Sequence, residues 1–263
     1  MNISLGVAQV FDHLTCLRVG AVGQDFFKFR EGLRQKKAVF KYRGVFYIQG
    51  YAMCSAIEFF ISNHNDLHPG LARELYALRK KTFHERLEWK VECEDNQERD
   101  QFDNENTAYL LGMSEGQLFC GARFIDARYP TMTDEIFYQY FNNISLPKDI
   151  PCCEITRLFL DKERRDEGNL RSLPASKALF LAMIMYCIKN GYPGMHAVTS
   201  RGMYAIFRQA NWKVDMLQRG LSEKGEAVYY IFMPANQQVI EDIINKDKNS
   251  AWLRDTLSRL NNL

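Results

Sequence analysis

Apolar residues recur along this chain in two rhythms. The stretch PGLARELYALRKKTFHER (69–86) carries Leu71, Leu75 and Leu78 at the i, i+4, i+7 spacing of one helical face, with Pro69 near its start. The run PASKALFLAMIMYCIKN (174–190) predicts a long apolar helix ended by Gly191. Shorter helices are predicted over TDEIFYQYF (133–141), RGMYAIFRQA (201–210) and NQQVIEDIINK (236–246), the last closing the fold. Strand patterns appear at SAIEFFIS (55–62), CCEITRLFLD (152–161) and GMHAVTS (194–200). Two hairpins complete the set. TAYLLGM turns through Ser-Glu-Gly into QLFCGARFIDA (107–127), and WKVDMLQRG pairs with EAVYYIFMPA across LSEKG (212–235). ECEDNQERDQFDNEN (92–106) and KERRDEGNLRS (162–172) read as loops.

Strands therefore come first in a hairpin and later in a strand–helix–strand unit. That mixture predicts an α/β protein with a mixed sheet and helices on both faces. One domain spans residues 53–263, with Met53 as a plausible alternative start. Residues 1–52 read as an N-terminal extension of unassigned role. Their basic, aromatic segment DFFKFREGLRQKKAVFKYRGVFYIQGY (25–51) has no clean helical period and is expected to hold a short helix and a short strand.

Composition narrows the class. The 263 residues are 46% hydrophobic and 25% charged, the balance of a globular protein, and the net charge is +2. Nucleic acid is not expected as a partner, and an acidic partner must be met by a local basic patch. Seven cysteines form no C-x-x-C pair, which fits reduced thiols in a cytoplasmic protein. The longest apolar run, 178–188, is too short to span a bilayer, so no membrane association is expected.

One segment resists a purely structural reading. CCEITRLFLD puts Glu154 and Arg157 into a strand apolar enough to be buried, where an unpaired charge is costly. Arg123 is likewise set in the apolar strand CGARFIDA, and Asp100 and Asp103 lie in the acidic stretch. The plain reading is an internal ion-pair network of Arg79, Asp100, Asp103, Arg123, Glu154 and Arg157. The functional reading is that this network also shapes a cleft and orients a base. Arg79, Phe83 and Trp89, leading into the acidic stretch, could wall a pocket for a flat, charged small molecule. No G-x-S-x-G elbow, phosphate-binding glycine loop, H-E-x-x-H or spaced Cys/His quartet is present, so no metal is expected.

These clusters, in this order, resemble the LuxI-type acyl-homoserine lactone synthases of quorum sensing. Arg79, Phe83 and Trp89 stand in LRKKTFHERLEW, Asp100 and Asp103 in ERDQFDNENTAYLLG, Arg123 in CGARF, and Glu154 and Arg157 in EITRLFLD. The resemblance covers roughly Met53 to Ile244 and leaves residues 1–52 without a counterpart. It implies a GNAT-like acyltransferase fold, a mixed sheet with a V-shaped cleft. It implies two substrates, S-adenosylmethionine and an acyl chain on acyl carrier protein, and no cofactor.

On that resemblance Glu154, Arg157, Asp100, Asp103 and Arg123 form the catalytic set. Arg79, Phe83 and Trp89 would meet S-adenosylmethionine, while Met183, Ala197, Thr199 and Ser200 would line the acyl pocket. Relatives preferring 3-oxo chains tend to carry Thr where Ala197 aligns, so unsubstituted chains are expected. Lys162, Arg164, Arg165, Arg171, Arg201 and Arg208 are the candidates for carrier docking. The alternative is a GNAT-like N-acyltransferase using acyl-coenzyme A and another amine.

Overall fold

A computed structural model describes residues 57–261 and 263, together with the backbone of three earlier strands. Those strands are Leu17–Arg18 (β1), Val39–Tyr42 (β2) and Val45–Ile48 (β3), forming an antiparallel sheet in the order β1-β3-β2. The chain divides into two compact units, Met1–Cys54 and Ser55–Leu263, and this small sheet belongs to the first. The short helix expected within 25–51 lies outside the described residues.

The strands of the second unit are Glu58–Asn63 (β4), Cys93–Glu94 (β5), Gln97–Glu98 (β6), Thr107–Ser114 (β7), Gln117–Asp126 (β8), Cys153–Leu160 (β9), Gly194–Ser200 (β10), Asp215–Leu221 (β11) and Ala227–Pro234 (β12). Seven of them form one mixed sheet in the order β11-β12-β10-β9-β8-β7-β4. Among the described residues every neighbouring pair in it is antiparallel except β9 and β10. That parallel contact has two rungs, Met195 opposite Cys153 and His196 opposite Glu154. Beyond the second rung the strands part, and the gap between them is the V-shaped cleft of a GNAT-like fold.

Helices cover both faces. Pro69–Arg79 (α1) runs directly into a π-helical segment, Lys80–Arg86. Met132–Glu135 (α2) is followed by a 3-10 turn, Phe137–Tyr140, where one continuous helix was expected. Lys162–Glu167 (α3) is a helix where a loop was expected, because its charged residues give no apolar stripe. Asp161 caps it by accepting from the Arg164 amide. Ala175–Lys189 (α4), Arg201–Gln209 (α5), Gln237–Asn245 (α6) and Ser250–Leu260 (α7) follow. The unanticipated α7 buries Leu253 and Leu260.

Through residues 178–184 α4 is apolar all round because it is buried all round. The sheet lies on one side of it, and α6 and α7 cover the other. Leu179, Phe180, Leu181, Met183 and Ile184 are all buried there, and each contributes about 1.5–3 kcal/mol of transfer free energy. This core fixes the sheet face on which the polar site is built, since the charged residues are left to the opposite face.

Candidate active site

A β-bulge answers the puzzle of Glu154 and Arg157. In a regular strand, residues three apart point to opposite faces. Here Ala122 of β8 opposes both Arg157 and Leu158, between the registered pairs Arg123–Thr156 and Gly121–Phe159. Arg157 takes a left-handed backbone, φ +51°. The extra residue turns Arg157 away from the α4 core, so it joins Arg123 and Thr156 on the polar face.

Six buried or nearly buried charges meet on that face. Arg79, at the end of α1, donates to Glu98 at 2.6 Å and by two bonds to Asp103 at 2.7 and 2.9 Å. Arg123 donates by two bonds to Asp100 at 2.5 and 3.0 Å and to the Thr156 hydroxyl at 2.9 Å. Arg157 bridges Glu98 at 3.0 Å and Asp100 at 2.7 Å. Three guanidiniums therefore face three carboxylates, and the cluster is formally neutral. Planar fork-to-carboxylate pairing makes such a buried set tolerable. Burial alone would raise the Asp103 carboxyl, but the Arg79 and Arg123 guanidiniums outweigh it and hold it far below the ordinary carboxylate range. The Tyr109 hydroxyl adds a bond to Asp103 at 2.9 Å.

The expected network is corrected at one position. Glu98 is its third acid, and Glu154 is bonded elsewhere. The Glu154 carboxylate is fully buried and accepts from the Met132 amide (2.9 Å), the Thr133 amide (2.7 Å) and the Thr133 hydroxyl (2.6 Å). It thereby satisfies two amides in the first turn of α2, which have no intrahelical partner. Burial raises its pKa, and the three donors from Thr133 and Met132 oppose the rise. Met132 links the two groups, because its sulfur lies 3.0 Å from Arg123 and 3.4 Å from Arg157. Glu98, Met132 and Thr133 were not anticipated. Glu98 was one carboxylate among many in a short, aperiodic acidic stretch, and amide donors leave no mark in a sequence.

The aromatic pair is set by the π-helical segment. Its wide turn closes through Leu87 N–H to the Thr82 carbonyl, five residues back. Glu88 then adopts φ +52°, and the Trp89 amide returns to the Phe83 carbonyl at 2.9 Å. The two rings lie 5.2 Å apart, with Phe83 buried and Trp89 41% exposed. The Arg157 guanidinium sits 5.5 Å from the Phe83 ring, which joins this wall to the charge cluster. The β11–β12 turn reaches the same segment through Lys224, which donates to the Glu88 carbonyl at 2.8 Å.

The acyl-pocket residues separate by strand parity. Ala197 and Met183 belong to the α4-side core, and Thr199 shares the parity of Ala197. Ser200 is exposed and caps α5 by accepting from the Met203 amide at 3.3 Å. The basic residues separate too. Arg164 is held by Glu74 and by the Leu118 carbonyl, Arg165 by Asp166, and Arg171 lies 3.9 Å from Asp166. Lys162, Arg201 and Arg208 are exposed, and no carboxylate among the described residues pairs with them.

Among the described residues no group of three His, Cys, Asp or Glu side chains converges to hold a metal ion. No helix among them is long and apolar enough to cross a membrane.

Comparison with known proteins gives this geometry its relatives. Residues 63–243 match the autoinducer synthase family. An acyl-homoserine-lactone synthase of Serratia liquefaciens is 42% identical over 179 residues, covering 68% of this chain and 89% of the relative. One from Pectobacterium carotovorum subsp. carotovorum is 39% identical over 193 residues, covering 72% and 89%. The fold matches the crystal structure of the AHL synthase LasI with a TM-score of 0.64 at 21% identity, over 73% of this chain and 96% of that one. It matches the CoA-dependent acyl-homoserine lactone synthase BjaI, solved with MTA, with a TM-score of 0.64 at 20% identity, over 79% of this chain and all of that one. With the cleft, the charge cluster and these relatives in agreement, the chain belongs to the autoinducer synthase family, the acyltransferases that make acyl-homoserine lactones.

Proposed function

We propose that this enzyme joins S-adenosylmethionine to an acyl chain carried on acyl carrier protein, in the cytoplasm. The amine nitrogen attacks the thioester carbonyl, an amide forms, and the carrier leaves as its thiol. The substrate carboxylate then attacks the methionine γ-carbon. The carbon–sulfonium bond breaks, the lactone closes, and methylthioadenosine leaves. A solved relative bound to SAM and isopentyl-CoA supports the first substrate, as do relatives bound to MTA.

The residues divide the work. Phe83 and Trp89 offer ring faces to a sulfonium and an adenine. The arginine–carboxylate cluster holds α1, the acidic segment, β8 and β9 in one piece, so the aromatic wall keeps its position over the cleft. Glu154 stands at the last rung before β9 and β10 part. Its raised pKa makes it a stronger base than a free glutamate, and its occupied oxygens mean that the amine proton reaches it through water. Backbone amides along the splayed strands stabilise the developing oxyanion. Ala197 and Met183 wall the acyl chain on the α4 side, and Ala197 favours chains without a 3-oxo group.

One observation carries the choice of donor. A coenzyme A pyrophosphate would be expected at the turn after β9, at the start of α3. That position is filled by the Asp161 carboxylate, which caps the helix and pairs with Lys81 at 2.8 Å, and Glu163 follows it. Two acidic side chains there disfavour a pyrophosphate. The second reading, an acyl-coenzyme A donor, draws on the CoA-dependent relatives of the same fold. The test is purified enzyme with S-adenosylmethionine and either hexanoyl-carrier or hexanoyl-coenzyme A, with lactone and methylthioadenosine followed by mass spectrometry. Faster turnover on the carrier is expected. Turnover on coenzyme A alone would reverse the donor, and no lactone from either would sink the reading.

A further inference from the structure

His196 stands where the two halves of the sheet meet. It opposes Glu154 on the last β9–β10 rung. Paired residues on neighbouring strands point to the same face, so the imidazole shares the polar face with Glu154. Its ring is stacked 5.4 Å from Tyr230 and lies 5.0 Å from Phe232. It is 6% exposed, and its buried Nδ1 has no hydrogen-bond partner. Buried polar atoms in native proteins are nearly always paired, so this nitrogen beside the last β9–β10 rung lacks a partner that the fold itself would supply. Packing alone does not explain the residue, because a phenyl or phenol ring would fill the aromatic stack with no orphan nitrogen. Burial lowers the pKa to about 4, and the ring is neutral at neutral pH.

We propose that His196 Nδ1 accepts a hydrogen bond from the α-amino group of S-adenosylmethionine, which makes His196 a binding residue for the attacking nitrogen. The proposal rests on the function stated above. Three features select an amine as the partner. A neutral imidazole with its proton on Nε2 presents a lone pair at Nδ1, which an N–H donor can use. A substrate carboxylate placed here would face the Glu154 carboxylate, whereas an ammonium is attracted to it. The acyl chain belongs with Ala197, which follows His196 on the strand and so points to the opposite face.

The experiment measures calorimetric binding of three unreactive ligands. They are S-adenosylhomocysteine, its analogue with hydrogen in place of the amine, and methylthioadenosine. His196→Phe keeps an aromatic ring in the stack and removes the nitrogen. It should weaken S-adenosylhomocysteine about tenfold, the scale of one hydrogen bond, and leave the other two unchanged. His196→Asn, whose amide oxygen can take the place of Nδ1, should recover most of the loss. If the Phe variant does not fold, His196→Leu replaces it. The ratio among ligands remains the readout, since a packing defect moves all three together. An equal loss for all three ligands, or no loss for any, overturns the proposal. Binding of methylthioadenosine by the wild type shows that the nucleoside site itself is present, so the proposal can fail while the function stands. A wild type that binds none of them overturns both.

Discussion

Glu154 anchors the first turn of α2, and its proposed part in proton transfer can be tested by a single substitution. A glutamine keeps the shape but turns an amide NH2 toward amides of α2 that now donate to an oxygen. Glu154→Gln should lower acylation by about 10²-fold or more, the scale of a lost general base. It should also destabilise the fold by about 1–3 kcal/mol through an unmatched donor. A folded variant with near-normal turnover would remove Glu154 from proton transfer and leave it as the anchor of α2. Ala197 tests the acyl side. A 3-oxo oxygen buried beside a methyl lacks a partner that a threonine hydroxyl supplies, worth roughly 1–3 kcal/mol or about 5- to 150-fold in selectivity. The wild type should make unsubstituted lactones, and Ala197→Thr should gain 3-oxo products, both read from the lactone profile by mass spectrometry. A wild type rich in 3-oxo lactones would show that Ala197 does not set this choice. At this scale the sequence was legible wherever a charge stood against an apolar background. Arg123 and Arg157 stood out for that reason. Glu98 did not, because its neighbours are also charged, and His196 did not, because its orphan nitrogen exists only once the strands are paired.

Between elements, Asp103 holds α1 to the sheet, since Arg79 and Arg123 both lie against it. Asp103→Asn leaves two buried guanidiniums short of one negative charge and should cost about 3–5 kcal/mol in urea unfolding at neutral pH. The pH dependence has a definite sign. The folded carboxyl lies below its unfolded value, so its contribution is complete above the ordinary Asp range. It is lost as pH falls from there through the depressed folded value. Wild-type stability should therefore drop on acidification more steeply than that of Asp103→Asn, and parallel acid limbs would contradict this. Element boundaries were legible where apolar periodicity was strong, as in α1, α4 and both hairpins. The π-helical segment was not, because residues 80–86 keep ordinary helical composition while their hydrogen bonds shift by one residue. α3 lacks an apolar stripe, and β5 and β6, at two residues each, are too short to alternate. α7 carries a legible face in Leu253, Leu257 and Leu260, at i, i+4, i+7.

For the whole molecule, charge distribution decides more than net charge. Arg164 and Arg165 are engaged by neighbouring acids, Arg171 is mostly exposed at 3.9 Å from Asp166, and no carboxylate among the described residues pairs with Lys162, Arg201 or Arg208. Reversal of Arg201 and Arg208 to Glu should raise KM for the acyl carrier more than for S-adenosylmethionine and flatten its salt dependence. Equal changes in both KM values would move docking elsewhere. We also propose that the activity belongs to the second unit alone. A chain beginning at Met53 should be soluble and make lactone, whereas loss of either, with the full chain active, would tie residues 1–52 to the working fold. The mixed sheet was legible as a class from the order of hairpins and helices. Its strand order was not, because the two-rung parallel contact depends on α4 crossing from β9 to β10.

That short contact has a bearing on solvent exchange. Past Glu154 and His196, the facing edges of β9 and β10 have no ladder between them. Their amides have no strand partner across that gap, although both strands stand in the middle of a seven-stranded sheet. Central strands ordinarily exchange deuterium slowest, but here a faster-exchanging seam is expected through the centre. An acyl chain seated there, as proposed, should shield that seam from solvent, and isotope uptake at mid-sheet would then report occupancy of the cleft without reference to turnover.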